Sequence, residues 1–533
     1  MQYEERLVRE LPEKSQISLT DYLVLEDLDG TKIGLVSSLR NLMMKNLVFN
    51  TVEDMKASDV QDGDYCITLG YHIPGDGGAA IYMIVYEPVA VEDGANWHYL
   101  YKSDVNRAKF ISLDGSVTPE QFGAYGDGSR DDTDAINKCI ASGYKVNFGQ
   151  KSTYKISYPL ELKTKLRLNL NGCTIKPSKT TVFAISSDNE GVVFEDIIIE
   201  NGIIDMTNSK STNVINTSKA AKKLTIRDLV ISGGDGVDFV IDGAESLLID
   251  NCKFRHGVTK YAAIELHKAN TGNPERQDAY IRNCYFENCL RAITAAETAA
   301  TGIIKVDACA HTIIEPVVAA TAFLYDGRTD AFNRTISLDG IHTTNVDTIL
   351  TSSGADMISI KDIHMYNAQS LCEVSKSGSS ISINGSIVLE GEDMETKVPV
   401  FGSLAGNIIL NTIPMFNTGR YMERTASNKK YTGTLYDTIG PHGRLVIQTS
   451  ATTSLSVTTI GNAIYEFTGT GVNLSEITGG IEGQLLILKF KNAAKIYNSG
   501  TIALNDSATQ TPISINKGGT VMFKCRQGKF VQI

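Results

Sequence analysis

The chain runs to 533 residues with a formal net charge of −11 and no Lys/Arg run, which excludes a nucleic-acid groove built on a basic face. Nine cysteines without metal-ligand or CxxC spacing read as buried free thiols and not as a disulfide frame. No run approaches the ~18 apolar residues that span a bilayer, and the charged start, Met1–Leu11, lacks the apolar core of a secretory signal.

From these features we expect no membrane insertion, no cofactor, no metal ion, and synthesis in a cytoplasm without a signal peptide. The N-terminal module, residues 1–50, opens with a hairpin over Asp21–Val36 that turns at Asp29-Gly30. A short helix with a serine cap is predicted over Ser37–Met44. A small β-rich module follows over 51–116, centred on the Gly-rich turn of Leu69–Tyr82. That turn lacks the Lys-Ser/Thr of a phosphate loop and opens no helix, so it reads as a backbone turn feeding a strand.

From 117 to 415 the sequence predicts a solenoid. A pattern of an apolar residue, any residue, Asp or Asn, then an apolar or Cys residue starts at Leu170, Phe194, Ile226, Ile249, Ile281, Val306, Leu338, Ile360 and Ile383. The steps between starts are 24, 32, 23, 32, 25, 32, 22 and 23 residues, the period range of a repeat architecture. The units are β-rich, alternate apolar with polar residues and are cut by Gly, Asn and Asp, so they are rungs of a parallel β-helix. Asn, Asp and Gly suit corners that need positive φ, and Cys173, Cys252, Cys284 and Cys309 are expected to stack inside as small hydrophobes. The rungs weaken after about Glu392, and period-two strands with Gly-rich turns predict a β-sandwich within 416–533.

The segment Val117–Ser142 carries Phe122-Gly123-Ala124, Gly126-Asp127-Gly128, Asp131-Asp132-Thr133 and Ala135-Ile136. It closely resembles the opening of the pectate-lyase-like β-helix superfamily, as found in phage tailspikes and related polysaccharide-degrading proteins. Leu69–Tyr82 is similar to the turn that precedes the β-helix in tailspikes and tail fibres, and Asp21–Met44 to their short virion-attachment modules. The C-terminal strands resemble the small sandwich that ends many tail proteins. The resemblance implies an all-β chain: a right-handed parallel β-helix (solenoid) with a small N-terminal adaptor module and a C-terminal β-sandwich. Four acids between Asp127 and Asp134 invite a calcium or catalytic role, but Asp131 and Asp132 stand where they can cap a helix over Thr133–Ser142, which would plug the solenoid's open end.

Glycan cleavage on such a scaffold needs two carboxylates ~5–5.5 Å apart for retention or ~6.5–9.5 Å for inversion. These acids need not be sequence neighbours, since rungs lie ~4.8 Å apart. The acid-rich stretch Gly233–Asp242 and the next rung, Tyr261–His267, offer Asp235, Asp238, Glu265 and His267 as catalytic candidates, with Glu265 and His267 on one strand face. Tyr261, Glu275, Arg276 and Tyr280 are the glycan-binding candidates, Glu275 and Arg276 walling a groove from the excursion 268–278. Asp before Gly is also ordinary corner chemistry. The paired-Asp, Gly-His-Gly and Arg-x-Lys set of polygalacturonases is missing, as are the acid and Arg patterns of calcium-dependent pectate lyases. The single Trp97 lies outside the rungs, which leaves Tyr285, Tyr325 and Tyr366 as further stacking surfaces.

Three functions fit. The first is a homotrimeric phage tailspike or receptor-binding tail protein, virion-borne, held by other tail or baseplate proteins at its N-terminus and gripping a bacterial surface polysaccharide, with cleavage left open. The others are a stand-alone polysaccharide lyase or hydrolase and a non-catalytic adhesive trimer.

Overall fold

A computed structural model describes residues 22–27 and 30–35, the run 46–390 apart from short loops, isolated strands between 401 and 449, and most of 453–533. The chain divides into two compact units, Met1–Gly126 with Asp134–Gly149, and Asp127–Thr133 with Gln150–Ile533.

The second unit is the expected parallel β-helix, a solenoid of about 11 turns. Each turn lays down three strands, and each pairs in parallel with its counterpart one turn on. Met357–Tyr366, for example, pairs along its whole length with Thr335–Thr344 behind it and Ser380–Glu390 ahead. Such a strand serves two rows because it bends once: Ile358 and Ile360 are buried before Asp362, and Ile363 and Met365 after it. The third row is a ten-stranded parallel sheet from Leu160–Glu161 to Phe401–Leu404.

The bend is where the chemistry of the repeat resides. Asn171, Asn201, Asp228, Asn251, Asn283, Ala308, Gly340, Asp362 and Gly385 hold φ between 50° and 69° in successive turns. Asn and Asp tolerate this region, and their side chains bond across rungs: Asn251 Nδ2 donates to Asp228 Oδ1 at 2.7 Å and Asn283 Nδ2 to Asp250 Oδ1 at 2.9 Å. The repeat legible in the sequence is this column, with one correction. The unit starting at Phe194 is out of register, because the bend lies at Asn201 and not at Asp196. Ala308 is the one residue of the column with neither a polar side chain nor glycine's freedom. Ala308→Asn is expected to stabilise the unit by roughly 1 kcal/mol, read as a rise in thermal midpoint.

Just after the bend, an inward column holds Cys252, Cys284 and Cys309 on consecutive turns, with the Cys284 N–H 3.4 Å from Cys309 Sγ. Cys173 belongs to the same column, separated from them by Gly202 and Leu229. Beside it run Phe254 and Phe286, stacked at 5.0 Å, then His311 and Phe323. These ring and thiol stacks run through a core otherwise filled by Ile, Leu and Val.

The rungs run through the weak stretch after Glu392, and Leu435–Asp437 pairs in parallel with Asn407–Leu410 beyond residue 415. Phe401–Leu404 and Asn407–Leu410 still pair with the turns before them. The C-terminal part departs from a simple sandwich. Leu445–Thr449, Ala463–Phe467 and Leu485–Phe490 pair in parallel, as do Val472–Leu474 and Ala494–Ile496, so the chain goes on coiling. Antiparallel pairing enters with Ile513–Ile515 against Ala494–Ile496 and Thr520–Arg526 against Leu485–Phe490, and the hairpin Thr520–Arg526 with Lys529–Gln532 closes the sheet over a core that includes Phe467, Phe490, Phe523 and Phe530. Period-two alternation looks the same in both arrangements, which is why the sequence predicts a sandwich.

In the first unit, Tyr22–Asp27 and Gly30–Leu35 form the predicted hairpin, but Gly30 pairs with Asp27 as the first residue of the second strand and is not part of the turn. The helix expected over Ser37–Met44 lies outside the described residues. A five-stranded sheet starts at Asn46, ahead of the expected module boundary, and buries Cys66, Tyr82, Ile84, Ala108 and Phe110 on one side. The Gly-rich turn is a closed knot. The Asp76 carboxylate accepts the backbone N–H groups of Tyr71 (3.0 Å), His72 (2.7 Å), Ile73 (3.1 Å) and Gly78 (2.8 Å). Burial works to raise its pKa, but these four bonds prevail and hold it below the usual carboxylate range. A nest of N–H groups that could have cradled a phosphate is thus filled from within. Gly78 is required there, since a Cβ would lie 2.5 Å from the carbonyl oxygen of Glu120. Asp76→Ala strands these donors and is expected to lower stability by roughly 2 kcal/mol, measured by thermal unfolding against Asp76→Asn.

Candidate functional site

The third row of strands presents the densest group of sugar-compatible side chains. On Lys260–His267, inward Ile264 and Leu266 are fully buried, which fixes Glu265 and His267 on the outer side. His267 Nε2 lies 3.3 Å from Glu265 Oε2, with the two side chains 34% and 19% exposed. The two residues predicted to share a face do so.

Tyr261, on the same strand and 48% exposed, is joined by a residue the sequence reading missed. Arg291, one turn on, donates from Nη1 to the Tyr261 hydroxyl at 2.6 Å. Its guanidinium lies 3.6 Å from the ring centre of Tyr325, a further turn on, and 4.9 Å from that of Tyr261. Two tyrosines clamp one cation across three rungs, a contact strengthened by the ring quadrupoles. The register Glu265↔Thr294↔Tyr325 carries this cluster to the Glu265–His267 pair. Flat rings with a cation, a carboxylate and an imidazole beside them can stack on sugar faces and bond their hydroxyls. The only signal in the sequence for Arg291 was its distance of about one rung from each tyrosine.

Other candidates are placed elsewhere. Asp235 is exposed at the bend leading into the third row. Asp238 is 2% exposed and faces His256, with Asp238 Oδ2 3.0 Å from His256 Nε2. His256 Nδ1 is held by the carbonyl of Gly233 at 3.0 Å. Asp235 and Asp238, adjacent in the acid-rich stretch, therefore do not share an open cleft: one faces solvent and the other ties a buried corner together. Tyr280, 37% exposed, sits in the first row between Leu248 and Lys305 and away from this cluster. Glu275 and Arg276 lie outside the described residues.

The acids before the predicted helix act as structural caps. Asp127 accepts the N–H groups of Ser129 (2.8 Å) and Arg130 (2.9 Å), which pull its pKa down. Asp131 accepts the N–H of Thr133 at 3.0 Å and the hydroxyls of Thr133 and Ser157, at the start of the helix Thr133–Ala141. Among the described residues, no group of three or more His, Cys, Asp or Glu side chains is arranged to hold a metal ion, and no helix is long and apolar enough to cross a membrane.

No protein-family model matches the sequence. The fold is a tailspike-like parallel β-helix. The gp42 tailspike of Acinetobacter phage vb_AbaP_AS12 is similar over 91% of this chain and 90% of its own, with a TM-score of 0.55 at 11% identity, a likeness of fold. In sequence, the plasmin and fibronectin-binding protein A of Streptococcus pneumoniae is 30% identical over 190 residues, 29% of this chain. The chain spans 26% of that relative's length. A solved structure of the pneumococcal surface adhesin PfbA matches 68% of this chain and all of its own with a TM-score of 0.40 and 15% identity.

Proposed function

We propose that this is a surface-attachment protein whose β-helix binds a bacterial polysaccharide, acting as the tailspike or receptor-binding tail protein of a phage. The observation that carries the reading is the Tyr261–Arg291–Tyr325 clamp beside Glu265 and His267 on an open sheet face. In this scheme residues 1–50 dock on other tail or baseplate proteins, 51–116 form a neck, 117–415 present the glycan surface and 416–533 hold three copies together. A homotrimer is supported by the outer face of the five-stranded sheet. There Val48, Ile67, Ile81 and Ile111 lie side by side, next to Tyr65 and Met83, and Val48 and Tyr65 are 56% and 47% exposed.

Purified full-length protein titrated with capsular or lipopolysaccharide glycans of bacterial strains tests the reading. Tyr325→Ala is expected to weaken binding of the recognised glycan by about three- to tenfold, the worth of one stacking contact. A Tyr325→Ala protein that binds like wild type, or a chain that binds none of the glycans, overturns it. Mass spectrometry of the same mixtures decides on cleavage. Oligosaccharide release that Glu265→Gln abolishes assigns a depolymerase, and binding without release assigns a receptor-binding scaffold. The pneumococcal sequence match favours a second reading, an adhesin on a bacterial surface. Antibody labelling of virions against intact cells separates the two, and light scattering gives the copy number.

A further inference from the structure

We propose that the second row of strands carries a separate site for a carboxylate-bearing sugar unit of an acidic polysaccharide. This inference rests on the polysaccharide reading above but concerns a different face. Lys253–Arg255 and Tyr285–Glu287 are second-row strands of consecutive turns, in the register Lys253↔Tyr285 and Phe254↔Phe286. The two phenylalanines are fully buried and stacked, so alternation turns Lys253 and Arg255 outward on one rung and Tyr285 and Glu287 outward on the next. These four side chains line a depression of about 500 Å³, within the range of small-ligand sites. Its borders are low: Val230 and Ser232 on the turn before, Ala310 and Thr312 on the turn after.

The depression also carries charge. On the first row, three outward cations have acids on neighbouring turns: Arg282 Nη2 lies 2.8 Å from Asp250, Lys361 Nζ 3.0 Å from Asp339, and Arg227 is bonded to Glu200. Lys253 and Arg255 have no carboxylate partner among the described residues. Glu287, one turn from Arg255, instead accepts the Tyr285 hydroxyl at 3.3 Å. In a chain of net charge −11, two cations at i and i+2 facing one carboxylate leave a local excess of positive charge that favours a negative ligand. Arg255 offers a planar fork that matches a carboxylate, Lys253 a second donor, Tyr285 a ring for a sugar face, and Glu287 an acceptor for sugar hydroxyls. Glu287 also disfavours small inorganic anions, since a bare phosphate would meet its charge without using the hydroxyl-accepting side of the site.

Calorimetric titration of the full chain with β-1,4-linked tetraglucuronate, and with cellotetraose as its neutral twin, tests the assignment. Tetraglucuronate is expected to bind with an affinity that falls as salt rises, and cellotetraose to give no measurable heat. Arg255→Gln is expected to weaken binding roughly tenfold or more, the loss of one charge-assisted pair, and Lys253→Gln to weaken it less. Lys361→Gln removes a cation that is already paired and should leave the affinity unchanged. Equal binding of the two tetrasaccharides, no binding of tetraglucuronate, wild-type affinity in the Lys253→Gln/Arg255→Gln protein, or full competition by inorganic phosphate each overturns the proposal. Tyr325-dependent glycan binding that survives the double substitution leaves the third-row reading standing while this one falls. Tetraglucuronate binding that the double substitution abolishes, without any Tyr325 effect, keeps this site and removes the third-row one.

Discussion

Arg328→Met is expected to lower the stability of the β-helix by about 3–5 kcal/mol. The Arg328 and Asp326 side chains are both fully shielded from solvent, and Arg328 Nε donates to Asp326 Oδ1 at 2.5 Å. Asp326 ends the third-row strand Ala322–Asp326, in register with Ser352, whose hydroxyl donates to it at 2.7 Å. The next turn closes tightly over the pair: a Cβ on Gly354 would lie 1.8 Å from the carbonyl oxygen of Arg328. Removing the cation leaves a carboxylate in the interior with, among the described residues, the Ser352 hydroxyl and the residue-328 backbone N–H as partners. Asp326→Leu should cost a similar amount, because it leaves a buried guanidinium without its carboxylate. The Asp326→Leu/Arg328→Met double variant should lose far less than the sum, since both desolvation penalties vanish together. Unfolding rates in guanidinium chloride measure the three effects. Additive losses would mean that the two residues act independently and that the pair contributes nothing as a pair.

A second large effect is expected from acid. Burial pushes the His311 imidazole down to about 4, with Nε2 set 2.9 Å from the carbonyl oxygen of Cys289. Above the unfolded value of about 6.5 both states hold a neutral ring, and the contribution to stability is complete. As pH falls from there towards 4, the unfolded chain takes up a proton that the folded chain refuses, so stability declines. The loss by pH 4 is on the order of 3 kcal/mol. His311→Phe, placed between Phe286 and Phe323, removes this titration. The gap between thermal midpoints at pH 7 and pH 4.5 should therefore be narrower in the variant than in the wild type. An unchanged gap would assign the acid sensitivity to other groups.

Both features were silent in the sequence, and the reason is the same. Asp326, Arg328, His256 and His311 carry the residue types of a wet surface, and nothing in their local sequence marks them as buried. Their burial follows from partners one turn away: Asp238 for His256, Ser352 for Asp326. No local pattern encodes a contact across that span. The bend column was legible because it is local: left-handed backbone selects Asn, Asp or Gly at one position in each turn. Where that selection was imitated by chance, at Phe194-Glu195-Asp196, the register was misread. The site was half legible. Strand alternation correctly joined Glu265 to His267, but the clamp on Arg291 depends on three rungs stacking in register, which unequal loop lengths conceal.

The nine cysteines have a practical consequence. All are free and buried, at positions 66, 139, 173, 252, 284, 289, 309, 372 and 525. Burial raises the thiols of Cys66 and Cys372 to about 12, which keeps them out of the reactive thiolate form at neutral pH. The native chain is thus its own set of opening reporters. A thiol reagent applied in short pulses during denaturation, followed by peptide mapping, would mark which parts of the chain part first and which last, without a single engineered label.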